Sequence, residues 1–175
     1  MASQESQDRV QEVYIAYYGR PADPAGLLFW CDQLDSVNGN LNAIIDAFGT
    51  SAEFLARFGA FSDAVLINNI FLQAFDRLAD EDGLAFYLEL LQTGQASLAD
   101  IALRILDGAT GEDAEVLANK MVVAGSFTEE VDEQNAPYSG NVQAGEAREI
   151  LGAVTSDPAT VPAQIDESEA FIAQM

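Results

Sequence analysis

The chain has 175 residues, 49% of them apolar, which is long enough for one well-formed core or for two small lobes. Aspartate and glutamate total 29 against 7 lysines and arginines; the formal net charge of -22 argues against nucleic acids and anionic membranes as partners. The chain has no histidine and a single cysteine, Cys31, so its sequence excludes imidazole catalysis, imidazole zinc ligands and an intramolecular disulfide.

The first half of the chain reads as a series of short helices, because its apolar residues recur every three or four positions. The first predicted helix ends near Gly19. Asp23 then caps a second helix with Pro24 at its first position, where a missing amide hydrogen costs nothing. A third helix follows the turn at Asn38-Gly39, and a short fourth helix begins at Ser51.

This helical pattern is duplicated. Residues 14–44 recur without a gap, 57 residues later, as residues 71–101. The identical pairs are Arg20/Arg77, Ala22/Ala79, Asp23/Asp80, Gly26/Gly83, Leu27/Leu84, Phe29/Phe86, Leu34/Leu91, Leu41/Leu98 and Ile44/Ile101. Because apolar positions are also kept, the duplicated object is a packing unit, in which one helical copy buries a face against the other.

The last third of the chain departs from this pattern. A helix is predicted from about residue 114 to 127, a polar linker or exposed loop over 132–142, and further helical stretches over 143–154 and toward the C-terminus. Strand signals are missing. We therefore predict an all-α fold with a first repeat over 1–59, a second over 60–131, the linker, and a C-terminal helical segment over 143–175.

Two kinds of charged residue stand out as candidate sites. Four acidic residues cluster in the second inter-helix turn: Asp76, Asp80, Glu81 and Asp82. Their oxygens are of the type that calcium prefers. The spacing is not that of an EF-hand, and helix capping is an alternative explanation.

Arg20 and Arg77 precede Asp23 and Asp80 by three residues. We expect each guanidinium to tie its turn to that carboxylate or to helix-end carbonyls, or to reach a carboxylate of a neighbouring copy.

Aromatic and apolar residues near the C-terminus are candidates for interface contacts. Tyr138 lies beside Pro137 in the predicted loop, where an exposed aromatic side chain would serve as an anchor. Phe171 and Ile172 lie in the final amphipathic stretch. That stretch is acidic and then apolar, which is compatible with an uncleaved secretion signal or with a helix that docks on the core or on a neighbouring subunit.

Residues 17–30, with the sequence Tyr-Tyr-Gly-Arg-Pro-Ala-Asp-Pro-Ala-Gly-Leu-Leu-Phe-Trp, and Ser51-Ala52-Glu53-Phe54 after them, resemble the bacterial domain of unknown function 4214 (DUF4214). The resemblance extends over about residues 10–161. Members of this family are typically found in surface-layer proteins, adhesins and type I-secreted proteins, so the resemblance implies such a setting, and it implies no catalytic residues. The calcium-binding Gly-Gly-x-Gly-x-Asp repeats that often follow this domain are missing from the sequence.

The functional expectation is a non-enzymatic extracellular protein that assembles with copies of itself into a surface layer or filament, with a response to cations such as calcium. The N-terminus lacks the pattern of a cleaved secretory signal, and no stretch is apolar enough for membrane insertion. One alternative is a monomeric adhesion module that binds cell-surface polysaccharide. Another, an intracellular scaffold similar to cyanobacterial light-harvesting linkers, fits the acidity poorly. A carboxylate-only glycosidase has no support from the spacing of the acids.

Overall fold

The chain is helical throughout the part that the structure describes, residues 3–175 of a computed structural model, where it forms ten helices and no strand. The helices are α1 (Gln4–Tyr18), α2 (Pro24–Ser36), α3 (Asn42–Gly49), α4 (Ala52–Phe58), α5 (Asp63–Phe75), α6 (Glu81–Gln92), α7 (Ile101–Asp107), α8 (Glu112–Gln134), α9 (Gly140–Gly152) and α10 (Thr160–Ile172). The predicted all-α class is confirmed.

The duplication predicted from the sequence is visible in the helices, because α5, α6 and α7 follow α1, α2 and α3 at the 57-residue spacing. The equivalent helices α2 and α6 begin in the same way. The Asp23 carboxylate accepts a hydrogen bond from the Gly26 amide at 2.7 Å, and the Asp80 carboxylate accepts one from the Gly83 amide at 2.7 Å. Each carboxylate thereby satisfies one of the amides that a helix N-terminus leaves without a partner.

Helix α1 lies at the centre of the core. Residues 13–18 are buried on every side, and the helix packs against α2, α5, α7 and α8. A helix that is apolar all round has to be enclosed in this way. The second copy also closes the end of α1, because the Gln73 side chain of α5 donates to the carbonyl oxygens of Ile15 at 2.7 Å and Ala16 at 2.8 Å.

The 57-residue spacing that relates the two copies also relates α8 to α5, although the identical residue pairs of the duplicated stretch end at residue 101. Its buried positions 123, 124, 127, 128 and 131 lie 57 residues after the buried positions 66, 67, 70, 71 and 74 of α5. Helix α8 packs on both α5 and α1, so the first helix of each copy and α8 together form the interior of the molecule. The two copies share one core with the C-terminal third of the chain.

The predicted linker is shorter than expected. Helix α8 continues to Gln134 and α9 begins at Gly140, which leaves residues 135–139 as the loop instead of 132–142. The polar residues at the end of α8 are compatible with a helix because they lie on its solvent side, while Val131 is buried. Asn135 ends the helix in the left-handed conformation, with φ of 50°.

The C-terminal helix docks on the protein's own core. Helix α10 packs against α8 and α9, Ile172 is only 2% exposed, and the Phe171 ring lies 6.3 Å from that of Phe127. The prediction of Ile172 as a residue that contacts another copy is therefore wrong, since it fills an intramolecular interface. Phe171 is partly covered by the same packing.

No single helix within residues 3–175 has both the length and the apolar character needed to cross a bilayer. Helices α4 and α5 meet that criterion only as a pair, and the chain bends by 110° between them.

One buried cation gives the fold a measurable pH dependence. Lys120 of α8 is fully buried, and its Nζ donates to the Gln73 carbonyl at 2.6 Å, an oxygen in the last turn of α5 that has no helical partner. Burial lowers the pKa of Lys120 to about 8 from its ordinary 10.5, against a smaller opposing effect of Asp76.

The unfolded chain therefore binds more protons at this lysine between pH 8 and 10.5, so stability should rise with pH across that window. We expect the difference in free energy of unfolding between the wild type and Lys120→Met to shift in favour of the wild type by up to about 3 kcal/mol from pH 7.5 to 10.5. Urea unfolding at several pH values measures it. The comparison cancels the titration of Cys31 and the tyrosines, and a difference that does not change with pH would contradict the prediction.

Candidate functional site

The most heavily connected polar site is an arginine cluster, formed by Arg20, Arg57 and Arg148 around Glu53. It is assembled at the C-terminal end of α1, where the helix leaves carbonyl oxygens without helical partners and where the helix dipole favours positive charge. The Tyr18 carbonyl oxygen accepts hydrogen bonds from Arg57 Nη1 and, at 2.8 Å, from Arg148 Nε. Helices α4 and α9 are thus fastened to the same atom of α1.

Glu53 supplies the negative charge of the arginine cluster. Its two carboxylate oxygens accept from Arg20 Nε at 2.9 Å and Arg20 Nη2 at 3.0 Å, and one of them also accepts from Arg148 Nη2. Burial by itself would raise the pKa of Glu53, but the hydrogen bonds and charges of Arg20 and Arg148 outweigh it and lower that pKa below its ordinary value. Glu53 is therefore ionised and held as a bridge between two arginines.

Three tyrosine rings surround the Arg20 guanidinium. Its carbon atom lies 5.3 Å from the ring centroid of Tyr14, 5.2 Å from that of Tyr18 and 5.7 Å from that of Tyr138, distances typical of cation–π contacts. Arg20 also donates to the Pro21 carbonyl at 3.1 Å. Only 12% of the Arg20 side chain is exposed, so this cation is held almost entirely by protein groups.

The environment of Tyr138 differs from the one that the sequence predicts. The sequence predicts an exposed loop residue that anchors a partner, but Tyr138 is 9% exposed and belongs to the core, so that prediction is wrong. Its hydroxyl donates to the Pro21 carbonyl at 3.2 Å, its ring lies 5.0 Å from that of Phe127, and burial raises its pKa to about 12. The turn-rich sequence around Tyr138 signals a loop correctly but does not reveal that the loop folds back over the first copy.

The second copy contains a reduced version of this site. Arg77 lies over the Phe71 ring at 5.2 Å and donates to the Leu78 carbonyl at 2.9 Å, as Arg20 does with Tyr14 and Pro21. Its carboxylate partner is Asp113 of α8, at 2.7 and 2.6 Å, with Asp80 farther away at 3.9 Å. Arg77 is 42% exposed, since no segment among the described residues covers this turn as residues 135–139 cover that of the first copy.

The predicted calcium site at Asp76, Asp80, Glu81 and Asp82 is not formed. In residues 3–175, no three acidic or cysteine side chains are grouped closely enough to hold a metal ion. Asp76 ends α5 in the left-handed conformation, Asp80 caps α6, and Glu81 and Asp82 lie in the first turn of that helix. Acidic residues are favourable at the N-terminal end of a helix, so their helical roles explain Asp80, Glu81 and Asp82.

An exposed aromatic pair recurs on the two copies. Phe29 of α2 is 54% exposed and Phe86 of α6 is 55% exposed, although both lie on helices whose other face packs on the core. Phe29 meets the Trp30 ring edge-on at 4.9 Å, and Phe86 meets the Tyr87 ring edge-on at 5.1 Å. We call Phe29 and Phe86 the repeated aromatic pair.

The central members of the arginine cluster, Glu53 and Arg148, cannot be identified from the sequence alone. Glu53 stands in the Ser-Ala-Glu-Phe segment that contributes to the family resemblance, but nothing local shows that it pairs with Arg20, 33 residues earlier. Arg148 carries no local signal, because it reaches Glu53 from 95 residues away. The scarcity of cations was the one available clue, since three of the seven lie here.

Comparison with known proteins identifies the family. The sequence model of the domain of unknown function (DUF4214) matches residues 2–58 and again residues 45–110, which together are more than half of the chain. The chain therefore belongs to the DUF4214 family, and the double match agrees with the duplicated helical unit. No curated protein and no solved structure matches the chain.

The arginine cluster predicts a large effect of removing its carboxylate. We expect Glu53→Gln to lower the free energy of unfolding by about 2 to 3 kcal/mol, because it leaves Arg20 and Arg148 largely buried without a counter-charge. Asp113→Asn is the matched control: its arginine is more exposed, and the expected loss is below about 1 kcal/mol. Denaturant unfolding at pH 7 measures both losses.

Acid titration provides a second reading of Glu53. Because the folded pKa of Glu53 is lowered, the stability it contributes is present above the unfolded value of about 4.5 and is lost as the pH falls through the folded value. The difference in free energy of unfolding between the wild type and Glu53→Gln should therefore become smaller as the pH is lowered below about 4.5. Equal losses for the two variants at pH 7 would show that Glu53 does not hold the cluster.

Proposed function

We propose that this protein is a non-enzymatic extracellular structural protein whose copies assemble into a surface layer or filament. The repeated aromatic pair is the observation that carries the proposal. Phe29 and Phe86 occupy equivalent positions on two copies of one unit, and more than half of each side chain is in contact with solvent. A protein that presents the same large apolar group twice has two equivalent places at which a further copy can bury apolar surface.

The polar residues support a structural role. The arginine cluster joins α1, α4 and α9 through the Arg20–Glu53 pair and through the hydrogen bonds that Arg57 and Arg148 donate to the Tyr18 carbonyl oxygen at the end of α1. The family also supports the extracellular setting, since the resemblance to DUF4214 implies that such domains occur in exported surface proteins. These are grounds for the proposal, and assembly is the property to test.

The net charge of -22 sets the conditions under which assembly takes place. Copies repel each other at low ionic strength, and salt weakens this repulsion because exposed charges are screened beyond about 10 Å at 0.1 M. Apolar contacts at Phe29 and Phe86 do not weaken in the same way. Assembly is therefore promoted by salt, and divalent cations such as calcium act at lower concentration by general screening.

We predict that the purified wild-type protein forms ordered filaments or sheets as sodium chloride increases, whereas the double variant Phe29→Ser and Phe86→Ser stays monomeric. Negative-stain electron microscopy and light scattering of the same samples measure the outcome. Val142→Ser is the control, because Val142 is 75% exposed but has no equivalent in a second copy. The variants should unfold at the wild-type temperature. A wild type that remains monomeric at every salt and calcium concentration would refute the proposal.

A second candidate function is a monomeric adhesion module that binds cell-surface polysaccharide. One observation favours it: Asp32 and Glu89 are exposed and lie three residues after Phe29 and Phe86, on the same side of their helices. An aromatic face beside a carboxylate acceptor suits a sugar ring, whose apolar face stacks and whose hydroxyl groups donate hydrogen bonds. The arrangement occurs twice, as a repeating polymer would require.

A glycan array followed by sedimentation of the bound sample separates the two functions. Binding by a monomer, with loss of binding in both Phe29→Ser and Phe86→Ser, favours the adhesion module. Trp30 lies against Phe29, so quenching of its fluorescence by the bound glycan is a second measurement. Assembly without glycan binding favours the structural protein.

A further inference from the structure

The arginine cluster is short of negative charge. It contains three guanidinium groups and one carboxylate that pairs with them, Glu53, in a chain whose net charge is -22. Elsewhere in residues 3–175 the arginines are balanced by acids: Arg9 pairs with Glu12 and Asp107, Arg77 with Asp113 and Asp80, and Arg104 with Asp100.

Arg57 contributes one of the two unbalanced positive charges, and Arg20 and Arg148, which share Glu53, leave the other. Within the described chain it is the one arginine that forms no ion pair, and its single hydrogen bond is the one from Nη1 to the Tyr18 carbonyl. Its guanidinium carbon lies 4.8 Å above the Phe58 ring. A guanidinium has five N–H donors, so most of those of Arg57 have no protein acceptor.

The surroundings make this an unfavourable place for an unpaired cation. Burial, with the charges of Arg148 and Arg20, lowers the pKa of Arg57 to about 10, while Glu53 opposes the shift. Arg57 and Arg148 are nevertheless both partly exposed, with 24% of the Arg148 side chain open to solvent. A carboxylate that arrives from outside can reach the two guanidinium groups and supply the missing charge.

We propose that Arg57 and Arg148 form a docking site for the carboxylates of a second copy of this chain, an inference that rests on the proposed function. Charge complementarity selects the occupant. Most of the 29 carboxylates make no ion pair, so another copy presents acidic surface in nearly every orientation, whereas this cluster is where unbalanced positive charge gathers. Exposed Phe61, whose ring lies 6.2 Å from that of Phe58, adds an apolar margin to the site.

The contact has a direction. It joins the arginine cluster of one copy to an acidic surface of the next, so each added copy still presents its own free arginine cluster. Contacts between unlike surfaces produce open chains instead of closed dimers, as a filament or layer requires. The repeated aromatic pair contributes apolar area, and the arginine cluster fixes which surfaces meet.

Sedimentation velocity of the full chain at a salt concentration where the wild type associates tests the docking site. Arg57→Gln removes the charge, while Arg148 still donates to the Tyr18 carbonyl, and we expect it to weaken association about tenfold or more. Arg104→Gln removes one charge from an arginine that is 46% exposed and paired within its own turn, and should associate like the wild type. Equal association of both variants and the wild type overturns the docking site and leaves the proposed function standing; a monomeric wild type overturns the proposed function itself.

Photocrosslinking from residue 61 tests the docking site if Arg57→Gln does not fold. Phe61 is replaced by the photoreactive p-benzoyl-phenylalanine in an otherwise unchanged chain, and the assembled protein is irradiated and digested. Crosslinks between copies to a peptide rich in aspartate or glutamate are expected. Crosslinks confined to one copy, or to peptides without acidic residues, overturn the proposal.

Discussion

The fold depends on how the C-terminal end of α1 is closed. This helix is enclosed by its neighbours, and the helix itself leaves its last carbonyl oxygens short of donors. The Gly19 amide donates to those of Tyr14 and Ile15, and side chains from elsewhere in the chain supply the further donors. Gln73 of α5 donates to two of these oxygens, and Arg57 and Arg148 donate to that of Tyr18. Three separate segments are thereby fixed to one helix end. Glu53 pairs with both Arg20 and Arg148, so a single carboxylate links the turn after α1 to α9.

The two copies are alike in their local geometry and different in their surroundings. In each, an arginine lies over an aromatic ring and donates to the carbonyl of the following residue, but Arg20 is 12% exposed and Arg77 is 42% exposed. The difference comes from the C-terminal third of the chain, which covers the turn of the first copy with Tyr138 and leaves that of the second copy open. The two copies are therefore similar units, and only the first is buried under the C-terminal third of the chain.

The distribution of charge connects the structure to the proposed function. Cations are few, and they are used at helix ends and in ion pairs, so the acidic residues dominate the surface. Such a surface opposes association until salt screens it. A local excess of positive charge on it then determines where the acidic surface of another copy binds. The repeated aromatic pair and the arginine cluster thus offer different contributions to assembly: buried apolar area from the one and orientation from the other.

The sequence by itself determined the helical class, the duplication and the helix starts at Asp23, Ser51 and Asp80, because 3.6-residue periodicity and N-terminal capping are local effects that need no knowledge of the rest of the chain. It also placed Arg20, Arg77, Asp23 and Asp80 in equivalent turns. Only the tertiary structure decided which of the 29 carboxylates pairs with Arg20, that Tyr138 is buried, that Ile172 packs inward, and that the acids at residues 76–82 act at helix ends instead of gathering around calcium. The pairing of Arg20 with Glu53 and the burial of Tyr138 depend on contacts between residues 33 and 117 positions apart, and a local pattern carries no information about which distant partner completes a buried charge or covers an aromatic ring.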